Sequence, residues 1–70
     1  MGDNKLKEIL EAEGLKQSEF AEKCGASVGT VNRTCNSKRL PSVTYRNRMV
    51  KALCELSGNH YEYQDVFPDD

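Results

Sequence analysis

Apolar residues recur along the chain at helical spacing, and Gly or Pro interrupts the pattern at short intervals. Leu6, Ile9 and Leu10 stand at i, i+3 and i+4. This predicts an amphipathic helix over 3–13 with Asp3 or Asn4 as its cap. Gly14 follows where a left-handed residue would end that helix. Phe20, Ala21 and Cys24 predict a two-turn helix from Gln17 to Cys24, stopped by Gly25. Ser27 is placed to cap a third helix that runs to Cys35 or Asn36. Its wheel turns Val31, Thr34 and Cys35 inward. Gly29, Asn32, Arg33 and Asn36 then face out, with Val28 at their flank. A polar loop over 37–41 leads to Ser42, a cap for a fourth helix that reaches about Ser57. Along one side of that helix lie Val43, Met49, Val50, Leu53 and Cys54. Gly58-Asn59 breaks it, and Tyr61, Tyr63, Val66 and Phe67 predict a last turn before Pro68. No strand pattern competes, so the expected fold class is all-α, with five helices.

With 70 residues, one domain over 1–70 is expected, with an economical core. The net charge of −1 argues at first against a polyanionic partner. Its distribution reverses that. Residues 1–31 carry four basic and six acidic side chains, and 52–70 carry five acids and no base. Between them, Arg33, Lys38, Arg39, Arg46, Arg48 and Lys51 fall in 32–51 with no acid at all. Such a block marks either a solvated helix surface or a face that meets nucleic acid. Arg46 stands apart, since the wheel sets it between Val43, Val50 and Leu53. A structural role at the rim of the core is expected of it rather than a DNA contact.

Three cysteines (Cys24, Cys35 and Cys54) have no Cys-x-x-Cys spacing, and His60 has no second histidine. Neither a disulfide framework nor a metal site is expected. The thiols read as reduced, which points to the cytoplasm. Cys35 beside the basic block reads as a redox sensor or as a buried, inert thiol, and the second is favoured. Tyr61, Tyr63 and Phe67 either pack the last turn or form a dimer patch. No apolar run is long enough to span a membrane, and the N-terminus has no apolar core of a secretory signal. No spacing of Ser, His and Asp indicates a triad, and no cofactor or small-molecule ligand is implied, so an enzyme is not expected.

The informative stretch is 17–36, two short helices joined by a tight turn at Gly25 with the small Ala21 at their crossing. That unit projects its second helix so that it can enter a major groove. The chain resembles the phage-repressor (Cro/cI-like, Xre) helix-turn-helix family over about residues 5–67. The resemblance rests on Gly14-Leu15-x-Gln17, Phe20-Ala21, Gly25-x-Ser27, Thr30-Val31-x-Arg33, Asn36-x-Lys38-Arg39-x-Pro41-Ser42 and Val66-Phe67-Pro68. It implies a lambda-repressor-like five-helix bundle that binds double-stranded DNA as a transcriptional regulator, a repressor, and as a homodimer on its site. It also implies that Gln17 meets a phosphate and that Val28, Gly29, Asn32 and Arg33 face bases. Asn36, Lys38 and Arg39 would meet the backbone, and Ser27 and Thr30 complete the DNA-binding set.

Three departures from the family pattern have physical consequences. Lys16 replaces the usual Ser or Thr cap of helix two, and Gly29 offers no side chain to a base. Leu10 and Cys35 stand where relatives carry an Arg and a Glu, so both halves of an ion pair are replaced together. A protein-interaction or antitoxin-type module that keeps the fold with weak or no DNA binding is the alternative. The acidic segment over 55–70 and Gly29 favour it.

Overall fold

A computed structural model describes residues 4–36 and 40–68. Lys38 and Arg39, expected on the backbone-contacting loop, and Asp3, a candidate cap, lie outside the described residues. Five helices and no strand occur among the described residues: α1 (Leu6–Glu13), α2 (Gln17–Cys24), α3 (Val28–Asn36), α4 (Val43–Ser57) and α5 (Tyr63–Val66). The all-α expectation holds, and only α1 begins later than predicted.

The late start of α1 follows from what Asn4 does. Its Oδ1 accepts from the Leu6 amide at 2.9 Å, while its Nδ2 donates to the Thr34 carbonyl at 2.8 Å. An aspartate could cap but could not make the second bond. Asn4 thus starts α1 and ties it to the last turn of α3.

Glycine ends α1 and α2 in the same way. Gly14 (φ 69°) and Gly25 (φ 73°) adopt the left-handed conformation. The Leu15 amide then reaches the Leu10 carbonyl, and the Ala26 amide reaches the Ala21 carbonyl, each at 2.9 Å. Both are Schellman closures, and they let α1–α2 and α2–α3 turn within three residues. Lys16 makes no side-chain cap, as its residue type implied.

The core is a single cluster drawn from every helix: Leu6, Leu10, Phe20, Ala21, Cys24, Val31, Met49, Ala52, Leu53, Val66 and Phe67. α2 lies between α3 and α4, and α5 packs on α4. Val43 is a correction: it was expected along the inner side of α4 but is 55% exposed. Met49, Ala52 and Leu53 define the buried face instead. Val50 and Cys54 sit at its edge, half-buried. Arg46 is half-buried, as its place on the wheel required.

The C-terminal turn closes against α1. The Lys5 amide donates to the Val66 carbonyl at 2.8 Å. Glu13, at the end of α1, accepts from the Tyr61 hydroxyl and, at 2.8 Å, from the Asn59 amide group. Tyr61 and Tyr63 are half-buried and Phe67 is buried, with the Tyr63 and Phe67 ring centroids 5.3 Å apart. Packing of the last turn therefore accounts for these aromatics.

The Glu13 clasp gives acid sensitivity a defined sign. Hydrogen bonds from Tyr61, then Asn59, hold the Glu13 carboxyl below its ordinary value of 4.5. Its contribution to stability is present above that value and is lost as pH falls through the lowered pKa of the folded state. Tyr61→Phe is expected to return the Glu13 pKa toward 4.5, read by NMR titration of its side-chain carboxyl. An unchanged midpoint would mean that the hydroxyl does not hold the carboxylate.

Candidate nucleic-acid interface

Two helix starts and one helix face supply the candidate residues. Ser27 precedes α3, and its Oγ accepts from the Thr30 amide at 3.1 Å. The Ser27 and Thr30 hydroxyls also share a hydrogen bond of 2.9 Å. Ser27 and Thr30 thus form one polar cap at the entry of α3, and Thr34 continues the row by bonding the Thr30 carbonyl at 2.8 Å. Ser27→Ala is expected to cost about 1 kcal/mol of stability, measured by urea unfolding. A loss within about 0.2 kcal/mol of zero would show that the cap carries no weight.

Beyond that cap, α3 divides as its wheel predicts. Val31 and Thr34 are buried, with Cys35 half-buried beside them. Gly29, Asn32, Arg33 and Asn36 are exposed, and Val28 is 48% exposed at their edge. The exposed side therefore carries an amide, a guanidinium and a second amide one turn on, with no acid among them. Gly29 leaves that face low near its start: an added Cβ would meet Ser27 Oγ at 3.8 Å. Asn36 is held by its own helix, its Nδ2 donating to the Asn32 carbonyl at 3.0 Å.

Gln17 opens α2 and reaches the same face from the other helix. Its Oε1 accepts from Asn32 Nδ2 at 3.4 Å. Sequence spacing had set Gln17 and Asn32 apart, with separate roles. The bond between them is a product of the α2–α3 crossing, where Ala21 is 1% exposed and lets the two backbones approach.

The described members of the expected set, Gln17, Ser27, Val28, Gly29, Thr30, Asn32, Arg33 and Asn36, come together on the entry and outer side of α3. Lys38 and Arg39 lie outside the described residues. Leu40 and Pro41, just after them, line a small hollow with Thr30, Arg33 and Thr34. The stem of Arg33 thus rests beside apolar groups while its charge remains in water.

The remaining bases of the block occupy α4. Arg48 and Lys51 are exposed and border a groove between α2 and α4 that Glu22, Lys23, Gly25 and Glu55 also line. Arg48 lies 5.7 Å from the centre of the Tyr45 ring, a cation–π contact that no sequence pattern indicated. Across the groove Lys23 pairs with Glu55 at 3.4 Å. These acids partly neutralise the groove. The face of α3 has none.

The thiols lie away from that face. Burial pushes Cys35 above its ordinary value, an effect partly offset by Lys7 and reinforced by Glu11. A raised pKa keeps the group as a poorly nucleophilic thiol, in line with the inert reading. Leu10 is buried and Cys35 packs against the same core. Both members of the replaced pair thus occupy apolar surroundings. Cys24 is buried, and Cys54 exchanges hydrogen bonds with the Tyr61 backbone at 3.3 and 3.4 Å. His60 is exposed and pairs with Glu62 at 2.6 Å. No helix among the described residues is long and apolar enough to cross a membrane.

A family model described as helix-turn-helix matches residues 6–55. No curated protein and no solved structure matches the chain.

Proposed function

The chain belongs to the helix-turn-helix family, which is DNA-binding and not enzymatic, and we propose that it is a sequence-specific transcriptional repressor that lays α3 in the major groove of double-stranded DNA. The observation that carries this reading is the outer face of α3, polar and acid-free, at the head of the basic block 32–51.

The residues divide by chemistry. Arg33 presents two parallel donors, which suit guanine O6 and N7, and Asn32 presents one donor and one acceptor, which suit adenine. Val28 offers an apolar contact to a thymine methyl. Gln17, Asn36, Lys38 and Arg39 meet phosphates, which fix register and carry no sequence information. Ser27 and Thr30 hold the start of α3 and stand next to the backbone.

In this reading 1–70 is one domain, with its helix-turn-helix unit at 17–36 and its acidic segment at 55–70. It acts in the cytoplasm, where its thiols stay reduced. A homodimer on DNA suits the dimensions. The protein measures 28 × 23 × 21 Å, so two copies fit side by side on half-sites about 34 Å apart.

Selection from a random duplex library, followed by gel shifts over a range of salt, tests the proposal. A selected site with two-fold symmetry and salt-sensitive binding is expected. Lys38→Ala is expected to weaken every sequence alike and to lower the salt slope by about one. Absence of binding to any duplex at low salt would instead favour the protein-interaction or antitoxin-type role.

A further inference from the structure

We propose that the groove between α2 and α4 is a self-association surface, closed by the same groove of a second copy of this chain in a two-fold pair. None of the outer residues of α3 lines it. The contact therefore stands apart from the reading of α3 and leaves both α3 faces of the pair uncovered.

Two antiparallel helices give the groove its polarity. At one end a Cβ on Gly25 would meet Arg48 Nη1 at 3.9 Å, and in the middle Lys23 pairs with Glu55 at 3.4 Å. At the other end Glu19 shares a hollow with Leu56. That hollow and the one bordered by Arg48 and Lys51 have Glu22 and Lys23 in common, so they form one continuous groove. Three bases and three acids line it, a net charge of zero. Lys23 and Glu55 neutralise each other. The other four charges, Arg48, Lys51, Glu19 and Glu22, are exposed, and none of them forms an ion pair among the described residues. The bases stand at one end and the acids at the other.

The spacing of those four charges selects the occupant. Arg48 and Lys51 are three residues apart on α4, and Glu19 and Glu22 are three residues apart on α2. Each pair spans about 4.5 Å along its helix. Because the helices run in opposite directions, Lys51 and Glu22 are the inner charges and Arg48 and Glu19 the outer ones. A two-fold axis across the middle of the groove reverses its polarity. Lys51 then meets Glu22 of the second copy, Arg48 meets Glu19 of the second copy, and both pairs recur on the other side of the axis. A polyanion such as DNA is attracted at the basic end and repelled at the acidic one, and a uniformly basic partner fares no better. Only a surface with the opposite grade fits along the whole length, and the chain itself supplies one. α2 has eight residues, about 12 Å of helix, so the contact is small, weak and sensitive to salt.

Charge reversal in the full chain, followed by sedimentation equilibrium without DNA, tests the arrangement. The parent protein is expected to dimerise reversibly, about tenfold more weakly at high salt than at low salt. Lys51→Glu sets two acids against each other at each inner contact, and Glu22→Lys sets two bases there. Either variant alone is expected to associate at least about tenfold more weakly than the parent. Mixed in equal amounts, the two variants regain both inner pairs, one native and one reversed. The mixture is expected to associate as tightly as the parent, to within about threefold. Loss of folding could not produce that rescue, and circular dichroism reads the folding of each variant. A parent chain that stays monomeric up to about 1 mM at low salt overturns the proposal. So does a parent dimer that neither reversal weakens, which puts the contact on another face, and so does a mixture that associates no better than its components.

Discussion

Replacing Arg33 with alanine is expected to cost about 1–3 kcal/mol on the selected site and to relax preference at one base pair. Arg33 is exposed in the last turn of α3, on the same side as Asn32 and Asn36. Its removal takes no apolar group out of the core, so the folded state is left intact. The loss falls instead on a planar pair of donors that can bind guanine at both O6 and N7. An alanine offers neither, and the base pair it faces is no longer distinguished. The contrast with Lys38→Ala is the useful part. A phosphate contact is uniform along the duplex, so its loss shifts all affinities together, whereas a base contact changes their ratios. Site selection with the Arg33→Ala protein reads this directly. An unchanged site bound with unchanged affinity would remove α3 from the major groove.

Much of this arrangement was legible in the sequence because short-range rules govern it. Gly14 and Gly25 each follow an apolar pattern where a left-handed closure is needed, and both adopt it. Ser27 announces α3, and the wheel separates Val31 and Thr34 from Asn32 and Arg33. Where prediction failed, the deciding contact was distant or depended on shape. Val43 aligns with Val50 at about 100° per residue, which drew the apolar side of α4 through both. The helix turns elsewhere: the small Ala52 is buried beside Met49 and Leu53. Ala52 lies about 180° from Val43 on the wheel, so Val43 is left in solvent. A short side chain gives little hydrophobic signal, yet here it is part of the buried face. The bond from Asn4 to Thr34 and the Glu13–Tyr61 clasp link residues 30 and 48 positions apart. No periodicity could show them. The coupling of Gln17 to Asn32 was hidden for the same reason, although both residues were singled out separately. The loop with Lys38 and Arg39 lies outside the described residues, so its part in the site rests on charge pattern and resemblance.

The largest stability effect is expected at Phe20. Its ring is fully buried in α2, within a cluster that includes Leu6, Leu10, Val31, Met49 and Leu53. Removing it deletes most of a phenyl group and leaves a cavity within that cluster. Phe→Ala changes at such sites cost about 3–5 kcal/mol. A domain of this length holds only about 3.5–10 kcal/mol in total, taking roughly 0.05–0.15 per residue. The cavity therefore consumes most of the margin. Each kcal/mol is worth about 4–8 °C in a domain this small, so thermal unfolding should drop by tens of degrees or lose its cooperativity. Phe20→Leu, which refills much of the volume, should cost far less. DNA binding responds differently from the Arg33 case. α3 is nine residues long, and a helix that short is not stable without the surface that packs against it. Phe20→Ala should thus weaken binding to all sequences together, in step with the fraction unfolded, and leave any residual preference unchanged. Melting followed by circular dichroism, with gel shifts at matched temperatures, measures both. A melting point within a few degrees of the parent protein would show that the cluster around Phe20 closes over the cavity and that α3 does not depend on it.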